Sequence, residues 1–409
     1  MTTAPNQPES RAANRSAWSP ESWRSFPTPE QYDYPDEQAL DRSVTKLRSL
    51  PPLVTSWEIE RLKGMLADAQ SGKRFLLQGG DCAETLADCR PETITAKLKI
   101  LLQMSLVLVH ASKMPVIRVG RFAGQYAKPR SSTTETRSVD GSDVTLPSYF
   151  GDLVNNADFD AGARTPDPHM MVRGYQHAAM TLNFIRSLSE GGFADLHHPE
   201  HWHLGFLTNA GLPPERKVEY ERLCERLADG LRFMEALGEK RVDELTRVEF
   251  FTSHEGLNLH YESAQTRTVP RREGHYDLTT HLPWIGERTR ALDGAHVEFF
   301  RGVRNPIGLK VGPNADPAEI VRTIDLLNPS REAGKVTLIT RMGVSKVTDR
   351  LPALLAHVAD SGHPVLWVSD PMHGNALTTS KGIKTRQFDH ILEELEAAFD
   401  LHYRAGTTL

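Results

Sequence analysis

Short apolar runs alternate with amphipathic stretches along most of the chain. Seven runs of four or five residues are almost continuously apolar, and they lie at 75–78, 115–119, 250–253, 282–285, 307–311, 336–339 and 365–368. Such runs are typical of strands that are buried on both faces in a parallel sheet. The stretches between them repeat their apolar residues at helical spacing, which predicts helices between the strands.

Helix start and stop signals support this alternation. Asp167-Pro168 and Asp316-Pro317 each combine an N-cap residue with a first-turn proline, and Gly406 follows a long amphipathic stretch at 386–403. Two shorter helices are expected at 41–50 and 58–70. Strands that alternate with helices select the α/β class. Seven strands are one fewer than the eight that close a TIM (β/α)8-type barrel.

The same patterns divide the chain into regions. Residues 1–25 are polar and are expected to form a disordered tail, and residues 26–72, interrupted by prolines, are expected to form an N-terminal extension. Residues 73–409 would then form the barrel. A stretch at about 191–240 contains helical patterns without a strand, which predicts an inserted helical pair.

Composition restricts the class of protein. The formal net charge of -5 argues against a general nucleic-acid binder, although it permits a local basic pocket. The apolar runs fall short of the roughly 18 residues that a membrane span needs. The N-terminus lacks an apolar signal core, and three cysteines are too few for a disulfide framework. We therefore expect a cytoplasmic protein that does not associate with a membrane.

Charged residues follow the predicted strands, at the edge where α/β enzymes place their active sites. Singly, each has an ordinary reading as a surface or ion-pair residue, but successive strand exits bring many of them to one edge. Arg121, Arg288, Lys310 and Arg341 could neutralise a phosphate and a carboxylate of one substrate, and Lys128 and Arg130 could hold a second phosphate. The pattern predicts a pocket for two anionic substrates.

Long motifs in these segments resemble the class II 3-deoxy-D-arabino-heptulosonate 7-phosphate (DAHP) synthase family. They run in family order from about residue 18 onward and include LLQGGDCAE (76–84), VGRFAGQYAKPRSS (119–132), TSHE (252–255), WIGERTR (284–290), NPIGLKVGP (305–313), LITRMG (338–343) and WVSDPMHGN (367–375). The resemblance implies a (β/α)8 barrel in a homo-oligomer. It also implies the condensation of phosphoenolpyruvate with erythrose 4-phosphate, with a divalent metal such as Mn²⁺ or Co²⁺.

The family's functional residues carry over by motif. Phosphoenolpyruvate would be bound by Arg121, Glu287, Arg288, Lys310 and Arg341, and erythrose 4-phosphate by Lys128, Arg130 and Ser131. Among these, Lys128 and Arg341 would act in catalysis together with Glu255, which falls on an acid that handles protons or gives polar support. Cys82 and His373 fall on two of the four metal ligands, and thiolate with imidazole suits a borderline transition metal.

The end of the chain departs from the family pattern. Members continue into an eighth strand with a metal-ligand glutamate and then a segment with a metal-ligand aspartate; neither pattern occurs here, so we expect both ligands and that strand to be missing. Asp81, Glu84 or Asp370 are candidate substitutes. Two other functions stay open. One is a transferase that joins phosphoenolpyruvate to another aldose phosphate, and the other is a non-catalytic homologue that regulates a complete synthase.

Overall fold

The computed structural model describes residues 17–190 except 31 and residues 249–409 except 381 and 382, together with isolated positions between 214 and 229. The predicted insertion at 191–240 therefore lies almost wholly outside the described residues. The helices are α1 (Glu37–Ser49), α2 (Ser56–Gln70), α3 (Pro91–Ser112), α4 (Ala161–Arg164), α5 (His169–Glu190), α6 (Leu259–Gln265), α7 (Ala295–Phe300), α8 (Pro317–Leu327), α9 (Val347–Ser361), α10 (Pro371–Gly374) and α11 (Phe388–Ala405).

Parallel strands occupy all seven predicted positions. They are β1 (Phe75–Gly80), β2 (Val116–Arg121), β5 (Phe251–Thr252), β8 (Trp284–Ile285), β9 (Ile307–Val311), β10 (Val336–Thr340) and β11 (Val365–Ser369). In the part of the chain that the structure describes, three antiparallel hairpins accompany them: β3 (Thr134–Val139) with β4 (Ser142–Pro147), β6 (Thr266–Thr268) with β7 (His275–Asp277), and β12 (Leu377–Thr378) with β13 (Lys384–Thr385).

Each parallel strand lies beside the next one along the chain. One sheet has the order β1-β2-β5 and the other β11-β10-β9-β8. Backbone hydrogen bonds from Leu282 N to Thr252 O (3.1 Å) and from Trp284 N to His254 O (3.0 Å) connect β5 to the segment of β8. The protein is thus a mixed α/β structure whose parallel strands follow one another in chain order.

The strands are apolar because both of their faces are covered. Ile307, Leu309 and Val311 of β9 are fully buried in a cluster with the helices α7, α8 and α9. A second cluster joins side chains from β2, β5 and β11 to Leu62 and Leu66 of α2. The helix α2 therefore packs against strands from both sheets.

Local capping explains where several helices begin and end. The Asp316 carboxylate accepts a hydrogen bond from Ala318 N (3.1 Å) ahead of Pro317, as the sequence predicts. Thr55 and Glu58 form a reciprocal capping box on α2. Gly406 ends α11 in the left-handed conformation (φ +67°), which favours glycine.

The N-terminal arm packs on the body of the protein from Trp18 onward. The Trp18 indole Nε1 donates to the carbonyls of Glu298 (3.0 Å) and Phe299 (3.1 Å), and Trp23 is buried. The sequence predicted a disordered tail up to residue 25, but residues 17–25 are packed because two tryptophans bury apolar surface there. Residues 1–16 lie outside the described part of the chain.

One described helix, α3, is long and apolar enough to cross a membrane by length and composition alone. Its Leu98, Leu101 and Leu102 are buried in clusters that include side chains of β1, β2 and α5. The helix thus serves as part of the core that covers β1 and β2.

Candidate active site

The carboxyl ends of the parallel strands form the edge at which most of the predicted site residues meet. Backbone hydrogen bonds continue beyond the regular strands there, from Asp81 N to Arg121 O (3.3 Å), from Arg341 N to Val311 O (2.9 Å) and from Asp370 N to Thr340 O (2.7 Å). Because these bonds pair the residues just after each strand, they fix the directions in which the exit loops leave.

Cys82 and His373 are adjacent although 291 positions separate them. The Cys82 Sγ lies 3.5 Å from His373 Nε2, and the opposite ring nitrogen, Nδ1, lies 2.7 Å from the Asp370 carboxylate. The hydrogen bond with His373 lowers the pKa of the Cys82 thiol to about 7, while Asp370 raises the pKa of His373. The thiol is therefore readily deprotonated and the imidazole is held in one orientation.

Asp370 is shared between this pair and a lysine. Lys310 Nζ lies 3.0 Å from Asp370 Oδ2, and both side chains are largely buried. Burial alone would raise the pKa of Asp370, but the hydrogen bond with His373 and the Lys310 ammonium hold it well below its usual range. Asp370 therefore stays ionised and compensates the positive charge of Lys310.

Arg121 and Lys310 lie on the same indole ring. The Arg121 guanidinium carbon is 4.5 Å from the Trp284 ring centroid, and Lys310 Nζ is 5.7 Å from it. Trp284 is almost completely buried, so its ring gives both cations a rigid surface. Burial lowers the pKa of Arg121, and the nearby Cys82 and Asp370 oppose that shift.

Three further residues of the predicted site contact neighbouring groups. Arg341 Nη2 donates to His373 O (2.8 Å), which places this guanidinium beside the Cys82–His373 pair. Arg288 is half-exposed, and its Nε lies 3.9 Å from the carboxylate of Glu30, a residue of the N-terminal arm. The Glu287 carboxylate pairs with Arg290 at 3.3 Å.

Lys128, Arg130 and Ser131 lie together on the loop that follows β2. Lys128 N donates to Phe150 O (2.8 Å), and Arg130 N donates to Glu30 Oε2 (2.9 Å). Burial, and then the positive charges of Arg130 and Lys384, lower the pKa of Lys128. Ser131 is exposed. The loop presents two like charges near one another, an arrangement that a bound anion would relieve.

Glu255 lies between β5 and β8, next to Gly286. Its backbone N–H donates to Gln125 Oε1 (3.0 Å). Burial raises the pKa of the Glu255 carboxyl, and the charges of Lys310 and Arg121 oppose that rise. A carboxyl whose pKa is raised by burial, and which lies close to cations, is suited to take up or release a proton.

The chain is similar to known proteins over most of its length. Residues 18–409 match the Class-II DAHP synthetase family. A phospho-2-dehydro-3-deoxyheptonate aldolase from Neurospora crassa is 45% identical over 98% of this chain and 83% of its own length. A protein of the same name from Streptomyces coelicolor is 46% identical over 94% of this chain and 84% of its own length. The relative from Mycolicibacterium smegmatis, a phospho-2-dehydro-3-deoxyheptonate aldolase AroG, is 44% identical over 91% of this chain and 79% of its own length.

This chain belongs to the class II DAHP synthase family. The family resemblance read from the sequence motifs is thereby confirmed. The motifs give only the order of these residues along the chain, and the structure adds their contacts in space.

A divalent metal is general in the DAHP synthase family, and Cys82 with His373 fits such an ion in part. A thiol with a lowered pKa faces an imidazole nitrogen, and Asp370 orients the other side of that ring. Within the described residues, however, no three His, Cys, Asp or Glu side chains are grouped closely enough to hold a metal. The two side chains therefore make a partial donor set.

The three acids considered as substitute ligands have other partners. Asp81 pairs with Lys97, and Asp370 binds the far side of the His373 ring. The Glu84 carboxylate is buried and accepts hydrogen bonds from three consecutive backbone N–H groups, those of Ala123 (2.8 Å), Gly124 (2.9 Å) and Gln125 (2.6 Å). The structure thus gives each of these acids another partner, and their substitution as metal ligands stays a prediction.

Several residues of the site were not predicted to be functional. The sequence predicts Trp284 only as part of a strand, and nothing local distinguishes Gln125 or Glu30 from other polar residues. Asp370 was considered only as a ligand. Its Asp-Pro sequence at the end of an apolar run is a helix N-cap signal, and its carboxylate does accept from Met372 N and His373 N.

Proposed function

We infer that this chain catalyses the DAHP synthase reaction, in which phosphoenolpyruvate, erythrose 4-phosphate and water give DAHP and inorganic phosphate. The observation that carries this inference is the convergence of Arg121, Lys310 and Arg341 around the Cys82–His373 pair at one edge of the strands. The names of three relatives at 44% to 46% identity support it. The reaction is the entry step of the shikimate pathway.

We assign phosphoenolpyruvate to the cations on Trp284. Arg121 and Lys310 would bind its phosphate and carboxylate, together with Arg341, Arg288 and Glu287. Guanidinium groups match both anions because their donors form a planar fork. Holding the substrate on a rigid ring orients its C3 carbon toward the aldehyde, which lowers the entropic part of the barrier.

Erythrose 4-phosphate would be held by the loop after β2. The proximity of Lys128 and Arg130 supports a phosphate site, and Ser131 adds a hydroxyl donor. Lys128 is also the catalytic residue proposed for this group, since a lysine with a lowered pKa can donate a proton to the aldehyde oxygen that becomes a hydroxyl, and Arg130 with Ser131 would then hold the phosphate.

Glu255 and Arg341 are the remaining catalytic assignments. The reaction forms a bond between C3 of phosphoenolpyruvate and the aldehyde carbon, water adds at C2, and the C–O bond to phosphate breaks. Glu255 would take the proton from the attacking water, because its carboxyl is partly buried beside two cations. Arg341 would stabilise the charge on the departing phosphate.

Cys82 and His373 are the residues that would hold a divalent metal. Thiolate and imidazole suit a borderline transition metal better than Mg²⁺, which prefers oxygen ligands, and the family resemblance implies Mn²⁺ or Co²⁺. When bound, such an ion supplies Lewis-acid polarisation of the aldehyde carbonyl. The chain's own contribution is orientation, because Asp370 fixes the His373 ring and Arg341 binds its backbone carbonyl.

We further propose a TIM (β/α)8-type barrel, a homo-oligomer and a cytoplasmic location. Seven parallel strands in chain order support the barrel, as does the cluster that joins β2, β5 and β11 through α2. Oligomer state is measurable by light scattering, and location by fractionation of the source cells.

The test is a phosphate-release assay with phosphoenolpyruvate, erythrose 4-phosphate and Mn²⁺ or Co²⁺, before and after dialysis against a chelator. We expect metal-dependent turnover and formation of DAHP. The His373→Ala variant should need a higher metal concentration, whereas His357→Ala, an exposed helical histidine, should behave like the wild type. Turnover with another aldose phosphate alone would identify a different transferase, and substrate binding without turnover would identify a regulatory homologue.

A further inference from the structure

Gln125 lies behind the residues assigned to the reaction and has no role in the mechanism given above. Its side chain is buried, with 1% of its surface exposed. A buried amide must satisfy both of its polar ends or destabilise the fold, so its partners are informative. Three of them lie on segments that carry assigned site residues.

Two donors converge on the side-chain oxygen of Gln125. Arg121 Nη2 donates to Oε1 at 3.4 Å, and the backbone N–H of Glu255 donates to the same atom at 3.0 Å. The amide nitrogen Nε2 donates in turn to Ala127 O (3.1 Å), the residue before Lys128. Since Oε1 meets two donors and Nε2 meets an acceptor, the network fixes the orientation of the amide.

The backbone of Gln125 is also held on both sides. Its carbonyl accepts from Glu84 N (2.8 Å), and its N–H donates to the Glu84 carboxylate. Ala123, two residues earlier, has a left-handed φ of +66°, an uncommon conformation for a residue with a side chain. Glu84 stabilises this turn by accepting three consecutive N–H groups, so the Gln125 side chain has little freedom to move.

We propose that Gln125 is a positioning residue that sets the distance between Arg121 and Glu255. The Gln125 Oε1 atom accepts from both the Arg121 guanidinium, assigned to phosphoenolpyruvate, and the backbone N–H of Glu255, assigned to proton transfer. Its amide nitrogen links both to the loop that bears Lys128. The proposal rests on the proposed roles of Arg121 and Glu255, and it deepens them by naming what holds the two in register.

The test uses Gln125→Met, which keeps the volume and flexibility of the side chain but removes both hydrogen-bonding ends. Loss of a hydrogen bond to a charged group should lower kcat/KM for phosphoenolpyruvate by about 10- to 100-fold. The KM for phosphoenolpyruvate should rise and kcat should fall, while the KM for erythrose 4-phosphate changes less. Gln125→Asn, whose amide is one methylene too short, should restore little of the activity.

Gln265→Met is the matched control. Gln265 is also fully buried and also donates through Nε2 to a backbone carbonyl, that of Leu47, but its partners lie away from the site. It should lower the thermal unfolding temperature as Gln125→Met does, without raising the KM for phosphoenolpyruvate. Equal kinetic effects of the two variants would overturn the proposal, because the role of Gln125 would then be structural.

A double-mutant cycle separates this proposal from the assignment on which it rests. In an Arg121→Ala background, Gln125→Met should change the KM for phosphoenolpyruvate by less than about twofold, since it acts through Arg121. Fully additive effects would overturn the proposal and leave the site intact. If Arg121→Ala alone left that KM unchanged, the assignment of Arg121 would fail instead.

Discussion

Replacing Gly286 by alanine should displace the Glu255 carboxylate without unfolding the protein. A Cβ built at Gly286 would lie 2.9 Å from Glu255 Cδ and closer still to Oε1, whereas ordinary contact begins at 3.4 Å. The carboxylate must therefore move away by about 1 Å or more. Because it is the far end of a flexible side chain, it can do so at little cost in stability. Gly286 itself is not left-handed, so alanine brings no backbone strain.

The kinetic cost should be much larger than the cost in stability. A displacement of about 1 Å in a catalytic group can lower the rate roughly 100-fold. We expect kcat for phosphate release to fall by about that factor while the thermal unfolding temperature stays within a few degrees of the wild type.

Gly64→Ala is the control for this experiment. Gly64 lies in α2 with no atom within 4 Å of a built Cβ, so alanine there should leave activity unchanged and stabilise the helix by up to about 1 kcal/mol. If Gly286→Ala retained more than half of the wild-type kcat, the position of Glu255 would not matter and its catalytic role would be refuted. Loss of cooperative unfolding would show that the clash is not local.

Two further predictions concern stability and the arm. Burial lowers the pKa of His296 to about 4, so the unfolded state binds more protons between pH 4 and 6.5 and the free energy of unfolding falls as the pH falls through that window. His296→Gln can still donate to Leu257 O. It should reduce the change in the free energy of unfolding across this window by up to roughly 3 kcal/mol, as measured by urea titration at each pH. The same dependence of the unfolding free energy on pH in the variant would contradict the prediction. Gly302→Ala would place a Cβ 2.5 Å from Trp18 Nε1. It should release the arm at residues 17–30 to limited proteolysis, and unchanged protection would show that the indole contact is dispensable.

The sequence predicted the parallel strands well because a strand buried on both faces consists of consecutive apolar residues, a pattern that is visible locally. All seven strands and the Asp316-Pro317 helix start are where the pattern places them. Helix α1 begins earlier than expected, at Glu37, because Asp36 caps it by accepting from Ala39 N (2.8 Å). A cap of this kind is visible in the sequence only as one aspartate among other polar residues.

The hairpin of β3 and β4 was missed although a signal was present. Asp140 and Gly141 join the two strands, and both have positive φ, at +50° and +80°. An Asp-Gly pair between strands is typical of this turn. The strands themselves are polar and largely exposed, so they lack the apolar run by which the buried strands are predicted.

The candidate site could be predicted as a set of residues but not as a network. Motifs and strand exits named Cys82, His373 and the cations, since these types carry recognisable chemistry. They could not show that Asp370 turns toward His373, or that Glu84 turns away from it into a buried turn. Glu84 binds a turn that begins 39 positions later, and the Lys310 partner of Asp370 lies 60 positions before it, so the one-dimensional pattern does not contain these contacts.

Shared partners couple the two halves of the site. Asp370 is bound by both His373 and Lys310, and Gln125 by both Arg121 and Glu255. Lys310 compensates the Asp370 carboxylate and lowers the pKa of His373. Removing Lys310 would therefore raise the basicity of His373, so a residue assigned to substrate would also alter the proposed metal site. A single substitution therefore measures the disturbance of a pair rather than the contribution of one side chain. Because coupled groups are not additive, the roles of Lys310 and Asp370 have to be separated by comparing both single variants with the double variant.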